Sequence, residues 1–260
     1  MTLPPLTPSR CYEASRPLFV EHSDQPQFRF TKRGSAFLCQ FRDRSYAALA
    51  RHTLANYTPD QARIPINDGF NEFLTYDYHW QPTGVHDCHD LLLLRLKTTV
   101  NHGDWLGVRA PITQNASVLA SVAFVPGGDL VVSGYPGIGL NEVDYHRGTI
   151  TNHRFIVQCE YKGATDEHVH QLRVCQSGTI PDFGGYSGGM VVARTPQGLI
   201  PAGVVITGSA QHNVMRFVDV TALFLSLDNF AAQVGRLCQW SNLRPCFRHP
   251  PLRSWPLLSH

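Results

Sequence analysis

The sequence predicts an all-β protein, two antiparallel six-stranded β-barrels followed by a C-terminal α-helix. Three observations predict it. Short apolar segments broken by turn residues fill residues 31–115, a second such series fills 116–218, and residues 219–235 carry apolar side chains at helical spacing. A chain of 260 residues, 43% hydrophobic and 16% charged, can bury a core of that size.

Taken in order, residues 1–30 are rich in proline and polar side chains and are expected to pack as an irregular arm, with Pro17–Val20 the one strand before Phe28–Phe30. The first barrel follows, its strands separated by Pro59-Asp60, Pro65, Asp68-Gly69 and Pro82-Thr83-Gly84. The second barrel is expected to use strands at Val118–Val125, Leu130–Val132, Arg154–Tyr161, Val169–Cys175, Met190–Ala193, Ile200–Ile206 and Met215–Val218. In the helix, Val220, Leu223, Phe224, Leu227, Phe230, Ala231 and Val234 form one apolar face; Asp219 caps the start and Gly235 ends it. Residues 236–260 contain Pro245, Pro250, Pro251 and Pro256 without periodicity, and are expected to drape over the surface or remain mobile.

Composition excludes several classes. A formal net charge of +2, with Lys and Arg scattered, gives no surface for tracking phosphates, so no nucleic acid is expected. No run reaches the roughly 20 apolar residues of a membrane span, and the proline-broken start from Met1 to Pro8 lacks the apolar core of a signal peptide. The seven cysteines are an odd number and form no Cys-x-x-Cys, so most are expected to be buried small hydrophobes in a reducing cytoplasm.

Gly184-Gly185-Tyr186-Ser187-Gly188-Gly189-Met190-Val191-Val192 sets a serine among four glycines ahead of an apolar run. Glycines allow a sharp turn and close approach of a substrate, and the amides beside the serine can face a developing oxyanion. The same serine fits the Gly-Xaa-Ser-Xaa-Gly elbow of α/β-hydrolases, with Asp219 or Asp228 and His249 as partners. An elbow must open a helix, however, whereas Met190–Ala193 runs into Thr195-Pro196-Gln197-Gly198 and reads as strand then turn. His86, Cys88 and His89 are competent metal ligands, but neighbours on a strand point to opposite faces, so no metal site is expected.

The serine stretch resembles the Gly-Xaa-Ser-Gly-Gly nucleophile motif of trypsin-like serine peptidases of the chymotrypsin fold. Gly34-Ser35-Ala36-Phe37 resembles the family's Gly-Ser-Gly-Phe strand, Tyr46–His52 the strand and turn that deliver its histidine, and Asp90-Leu91-Leu92-Leu93-Leu94-Arg95-Leu96 the strand headed by its aspartate. Gly134-Tyr135-Pro136, Gly148-Thr149-Ile150 and Gly203–Gly208 resemble later strands and turns of the bacterial and intracellular members. His52 and Asp90 lie 38 residues apart and Asp90 and Ser187 lie 97 apart, in the family's order.

The resemblance implies a serine endopeptidase without cofactor or metal, acting on a protein or peptide substrate. Ser187 is the implied nucleophile, His52 the general base, and Asp90 the group that orients the imidazole; Asp87 is its rival, three residues earlier. Gly185 and Ser187 would supply the oxyanion hole. Pro181 and Asp182 would line the specificity pocket, and Thr207, Gly208 and Ser209 would pair with an extended substrate. His212 and Arg216 could favour an acidic side chain. Tyr186 stands where many members carry the aspartate that receives a freed N-terminus, so that activation route is not expected. An activating protein partner is the expected alternative, and a peptide-binding module without turnover the other.

Overall fold

The computed structural model describes residues 11–22, 24, 26–66, 72–82, 90–97, 109–121, 123–136, 142–147, 149–175, 183–196 and 198–242. The all-β, two-barrel expectation holds. Strands β1 (Ser15–Glu21), β2 (Phe30–Phe41), β3 (Arg44–Ala50), β4 (Ala62–Arg63), β5 (Tyr76–Trp80), β6 (Leu91–Leu96) and β7 (Ala110–Pro111) form the first sheet, in the order β4-β1-β2-β3-β6-β5 with β7 beside β2. Strands β8 (Asp129–Gly134), β11 (Phe155–Asp166), β12 (Val169–Val174), β13 (Met190–Thr195), β14 (Gly198–Ser209) and β15 (Val214–Asp219) close the second barrel in the order β11-β12-β15-β14-β13-β8. Between them, β9 (Glu142–Asp144) and β10 (Thr149–Thr151) make a separate hairpin. The first sheet is an open half-barrel among the described residues, where a closed six-stranded one was expected.

The apolar run of β6 has two cores to fill. Leu92, Leu94 and Leu96 join Ala36, Leu38, Ala47 and Leu49 inside the first sheet. Leu91 and Leu93 face the other way and join Phe37, Tyr46, Ala48 and the second barrel. A strand buried on both faces loses the alternation of polar and apolar residues, which is why Leu91–Leu94 reads as a continuous run.

Three further expectations need correction. The N-terminal arm is not irregular throughout: β1 pairs with β2 from Ser15 to Glu21, and Cys11 and Ala14 are buried ahead of it. Val118–Val125 is not a strand, because α1 spans Gln114–Ser121. Ala116, Ala120 and Ala123 follow helical spacing and are buried, while Val118 is 63% exposed, so small side chains and not the valine make the contact. The second helix, α2, runs through Gly235 from Val220 to Asn242. Gly235 is exposed with open space around it, so it weakens the helix locally by about 1 kcal/mol relative to alanine without stopping it. Of the expected tail, residues 243–260 lie outside the described residues. No described helix is long and apolar enough to cross a membrane.

Asp219 joins β15 to α2. Its Oδ1 accepts the Ala222 N–H at 2.8 Å, the expected cap, while Oδ2 accepts from His168 Nδ1 and His170 Nε2, each at 3.1 Å. Nδ1 of His170 lies 2.9 Å from the Tyr161 hydroxyl. Burial pushes the Asp219 carboxyl up, but the hydrogen bonds from His170, Ala222 and His168 outweigh it and hold it below the ordinary aspartate range. A lowered folded value stabilises the fold above the unfolded pKa of about 3.9 and ceases to do so as pH falls through the folded value. In urea titrations, the stability advantage of wild type over Asp219→Asn is therefore expected to be full at pH 6–7 and to shrink below about pH 4. An advantage independent of pH would remove the carboxylate from this role.

Candidate active site

His52 and Asp90 are brought together by strand register. β3 pairs with β6 so that Ala50 lies opposite Leu91, which sets the residue leaving β3 beside the residue entering β6. Arg51 N–H donates to the Asp90 carbonyl at 3.0 Å, and the chain then turns through a single 3-10 turn, Arg51–Leu54, that carries His52. Thr53, buried in that turn, donates its hydroxyl to Ala50 O at 2.5 Å and holds the turn against the strand. His52 Nδ1 donates to Asp90 Oδ2 at 2.6 Å, and the His52 backbone N–H donates to Asp90 Oδ1 at 3.0 Å. A carboxylate accepting at both oxygens fixes the imidazole plane and puts the ring proton on Nδ1, leaving the Nε2 lone pair free.

Ser187 sits in a tight turn ahead of β13, 8% exposed. The first sheet reaches it directly. Ser35 N–H donates to Ser187 O at 2.8 Å, and a Cβ placed on Gly34 would lie 2.8 Å from Ser187 O and 3.0 Å from Thr53 Cγ2, so the strand of Gly34, the histidine turn and the serine turn meet at one point. Gly185 and Gly188 have φ of +93° and +86°, the left-handed region that glycine enters without penalty. The Ser187 hydroxyl donates to Ile206 O at 3.4 Å.

The amides of this turn divide into two sets. Tyr186 N–H donates to Phe183 O at 3.2 Å, Gly188 N–H to Val205 O at 2.7 Å and Gly189 N–H to Tyr186 O at 2.7 Å. Among the described residues, the N–H groups of Gly185 and Ser187 have no acceptor. Tyr186 is fully buried, edge-on against Phe183, and its hydroxyl has no partner among the described residues, so the residue before the serine serves as packing and not as a charged anchor.

Thr207, Gly208 and Ser209 lie on β14, where they pair with Arg216, Met215 and Val214 of β15. On the other flank, β13 pairs with β14 only as far as Val204, so the 206–209 edge has no strand partner among the described residues. Phe183 packs on Gly208, 2.9 Å from where a Cβ would stand. Ser209 Oγ lies 2.9 Å from His212 Nδ1, while the Arg216 guanidinium reaches Thr165 Oγ1 at 3.1 Å, away from that pair. Pro181, Asp182, Asp87 and the His86, Cys88 and His89 group lie outside the described residues. Met190–Thr195 is a strand, which removes the α/β-hydrolase elbow. Among the described residues no three His, Cys, Asp or Glu side chains form a metal site. Cys11, Cys39 and Cys159 are buried and free; burial raises the Cys11 thiol to about 12 and the other two further, which makes them poor nucleophiles.

No family model matches the chain, and no curated protein matches it in sequence. Among solved structures it is similar to a thermostable serine protease from an extremophilic microorganism, with a TM-score of 0.55 and 14% identity over 82% of this chain and 94% of that one. The likeness is one of fold. The chain has the chymotrypsin-like architecture, with Ser187, His52 and Asp90 where its two halves meet.

Proposed function

We propose that this chain is a serine endopeptidase in which Ser187 attacks a peptide carbonyl, His52 takes its proton and returns it to the leaving amine, and Asp90 holds the imidazole in the reactive tautomer. The observation that carries the reading is the two-point grip of Asp90 on His52, at 2.6 and 3.0 Å, beside a serine turn. A histidine that merely ended a strand would not need its tautomer fixed. The unengaged N–H groups of Gly185 and Ser187 would receive the oxyanion, and the open edge of Thr207, Gly208 and Ser209 would pair with an extended substrate. The fold similarity to a serine protease supports the same class.

One observation favours a gated form of this enzyme, switched on by a partner: the Ser187 hydroxyl points to Ile206 O and not to the imidazole. At 3.4 Å that hydrogen bond is weak, so turning the hydroxyl to another staggered well gives up little and needs no partner. Intact-mass analysis after treatment with a fluorophosphonate tests both forms. A single adduct on wild type that is absent from Ser187→Ala is expected. No adduct on folded wild type overturns the self-sufficient enzyme, and labelling only after addition of a partner protein establishes the gated one.

A further inference from the structure

We propose that Ser35 is a positioning residue that holds the oxyanion-binding turn in its working shape; the inference rests on the peptidase reading for its catalytic consequence. Ser35 is fully buried in β2. Its hydroxyl donates to Gly185 O at 2.6 Å and accepts the Tyr135 N–H at 2.9 Å, while its own N–H donates to Ser187 O at 2.8 Å. One residue of the first sheet thus grips the serine turn at two carbonyls, and is itself gripped by the strand end that carries Tyr135.

The effect on the two free amides follows from the planarity of the peptide unit. The 185–186 plane is tied at its carbonyl by Ser35 and at its N–H by Phe183 O. The 187–188 plane is tied at its carbonyl by the Ser35 N–H and at its own N–H by Val205 O. Between them lies the plane that carries the Ser187 N–H, and on the other side of Gly185 the plane that carries the Gly185 N–H. Gly185, at φ +93°, has no side chain to resist rotation, so the restraint has to come from outside the turn. Without the Ser35 hydroxyl, the half-buried Gly185 O would lose the hydrogen bond that holds it, and the Tyr135 N–H would lose its bond to Oγ. Swinging the 185–186 carbonyl toward water relieves the first, breaks the Tyr186 N–H bond to Phe183 O that shares its plane, and frees the two neighbouring planes, which carry the Gly185 and Ser187 N–H groups, to turn.

Ser35→Ala is compared with Ser15→Ala. Ser15 is equally buried; its hydroxyl donates to Ser133 O at 2.9 Å and accepts from Met190 N–H at 3.4 Å, but has no bond to Gly185 or Ser187. Both variants are expected to lose stability. The rate of fluorophosphonate labelling is expected to fall about 10- to 100-fold in Ser35→Ala, short of the loss from deleting an oxyanion donor outright, and to stay within about threefold of wild type in Ser15→Ala. The Gly185 and Ser187 amide resonances of 15N-labelled protein are expected to shift or broaden in Ser35→Ala alone. Equal rate losses in the two variants, or unmoved amide resonances in Ser35→Ala, would overturn the proposal. Should wild type itself not label, the self-sufficient peptidase fails and the amide resonances still decide the role of Ser35 in the turn. If Ser35→Ala does not fold, Ser35→Cys, with a weaker and longer donor, is held to the same comparison.

Discussion

Asp90→Asn is expected to slow fluorophosphonate labelling of Ser187 by about 10⁴-fold, the size of loss seen when the wrong histidine tautomer is imposed on a Ser-His-Asp site. The reason lies in the two bonds that Asp90 accepts. Oδ1 takes the backbone N–H of His52 and Oδ2 takes Nδ1–H. An asparagine has one oxygen. If that oxygen keeps the backbone N–H, its NH2 faces Nδ1, which must then become the acceptor, and the ring proton moves to Nε2, where the base is needed. If the amide flips, its NH2 meets the backbone N–H, donor against donor. The backbone donor cannot change its state and the imidazole can, so the unreactive tautomer wins. The fold should change little, since Asp90 sits at a strand entrance with its backbone carbonyl still held by Arg51 N–H. Labelling rates with matched thermal melts check this; a loss below about tenfold would mean that Asp90 does not govern the tautomer.

Gly188→Ala is expected to destabilise the protein by more than about 3 kcal/mol and to abolish labelling. Two costs add. At φ +86° an alanine is strained by about 1–2 kcal/mol. Its Cβ would also lie 1.9 Å from the Ser35 carbonyl oxygen and 3.3 Å from Ala50 N, both backbone atoms that have no rotamer to escape into. The serine turn and β2 would have to part, and the Ser35 bonds to Gly185 and Ser187 would part with them. For a domain of this size the expected fall in Tm is on the order of 10 °C. Gly163→Ala separates the two costs: Gly163 also has positive φ, +141°, but nothing stands within 4 Å of its Cβ position. If both variants melt alike, close approach plays no part and the loss at Gly188 is backbone strain alone.

Much of the site was legible in residue order. Ser187 stood out because four glycines around a serine have few purposes, and His52 and Asp90 because each borders an apolar strand. Ser35 was within the quoted Gly34–Phe37 segment but carried no signal of its own beyond being a polar residue ahead of the buried apolar run Ala36–Cys39. Its role depends on contacts 150 and 152 residues away along the chain, with Gly185 and Ser187. Arg216, expected on the hairpin after Ser209 as a group that could reach the pocket, shows the same dependence on distant contacts. It pairs with Thr207 across β14 and β15, and its guanidinium donates to Thr165 Oγ1.

By itself, the sequence determined the all-β class, the strands of the second barrel other than Val118–Val125, and the cap of α2 at Asp219, and it singled out the three candidate residues of the site. Those features rest on short-range physics: side-chain periodicity, turn chemistry and the company of glycine. Tertiary structure decided the rest. β1 reaches from Ser15 to Glu21, beyond the expected Pro17–Val20, because β2 supplies its hydrogen bonds; α1 is a helix because Ala116 and Ala120 find a surface to pack on; α2 passes Gly235 because an exposed glycine in a helix already docked costs too little to end it. The two unengaged amides and their grip by Ser35 likewise exist only once the two halves of the fold press backbone against backbone, at a distance that glycine at 34 and 188 permits.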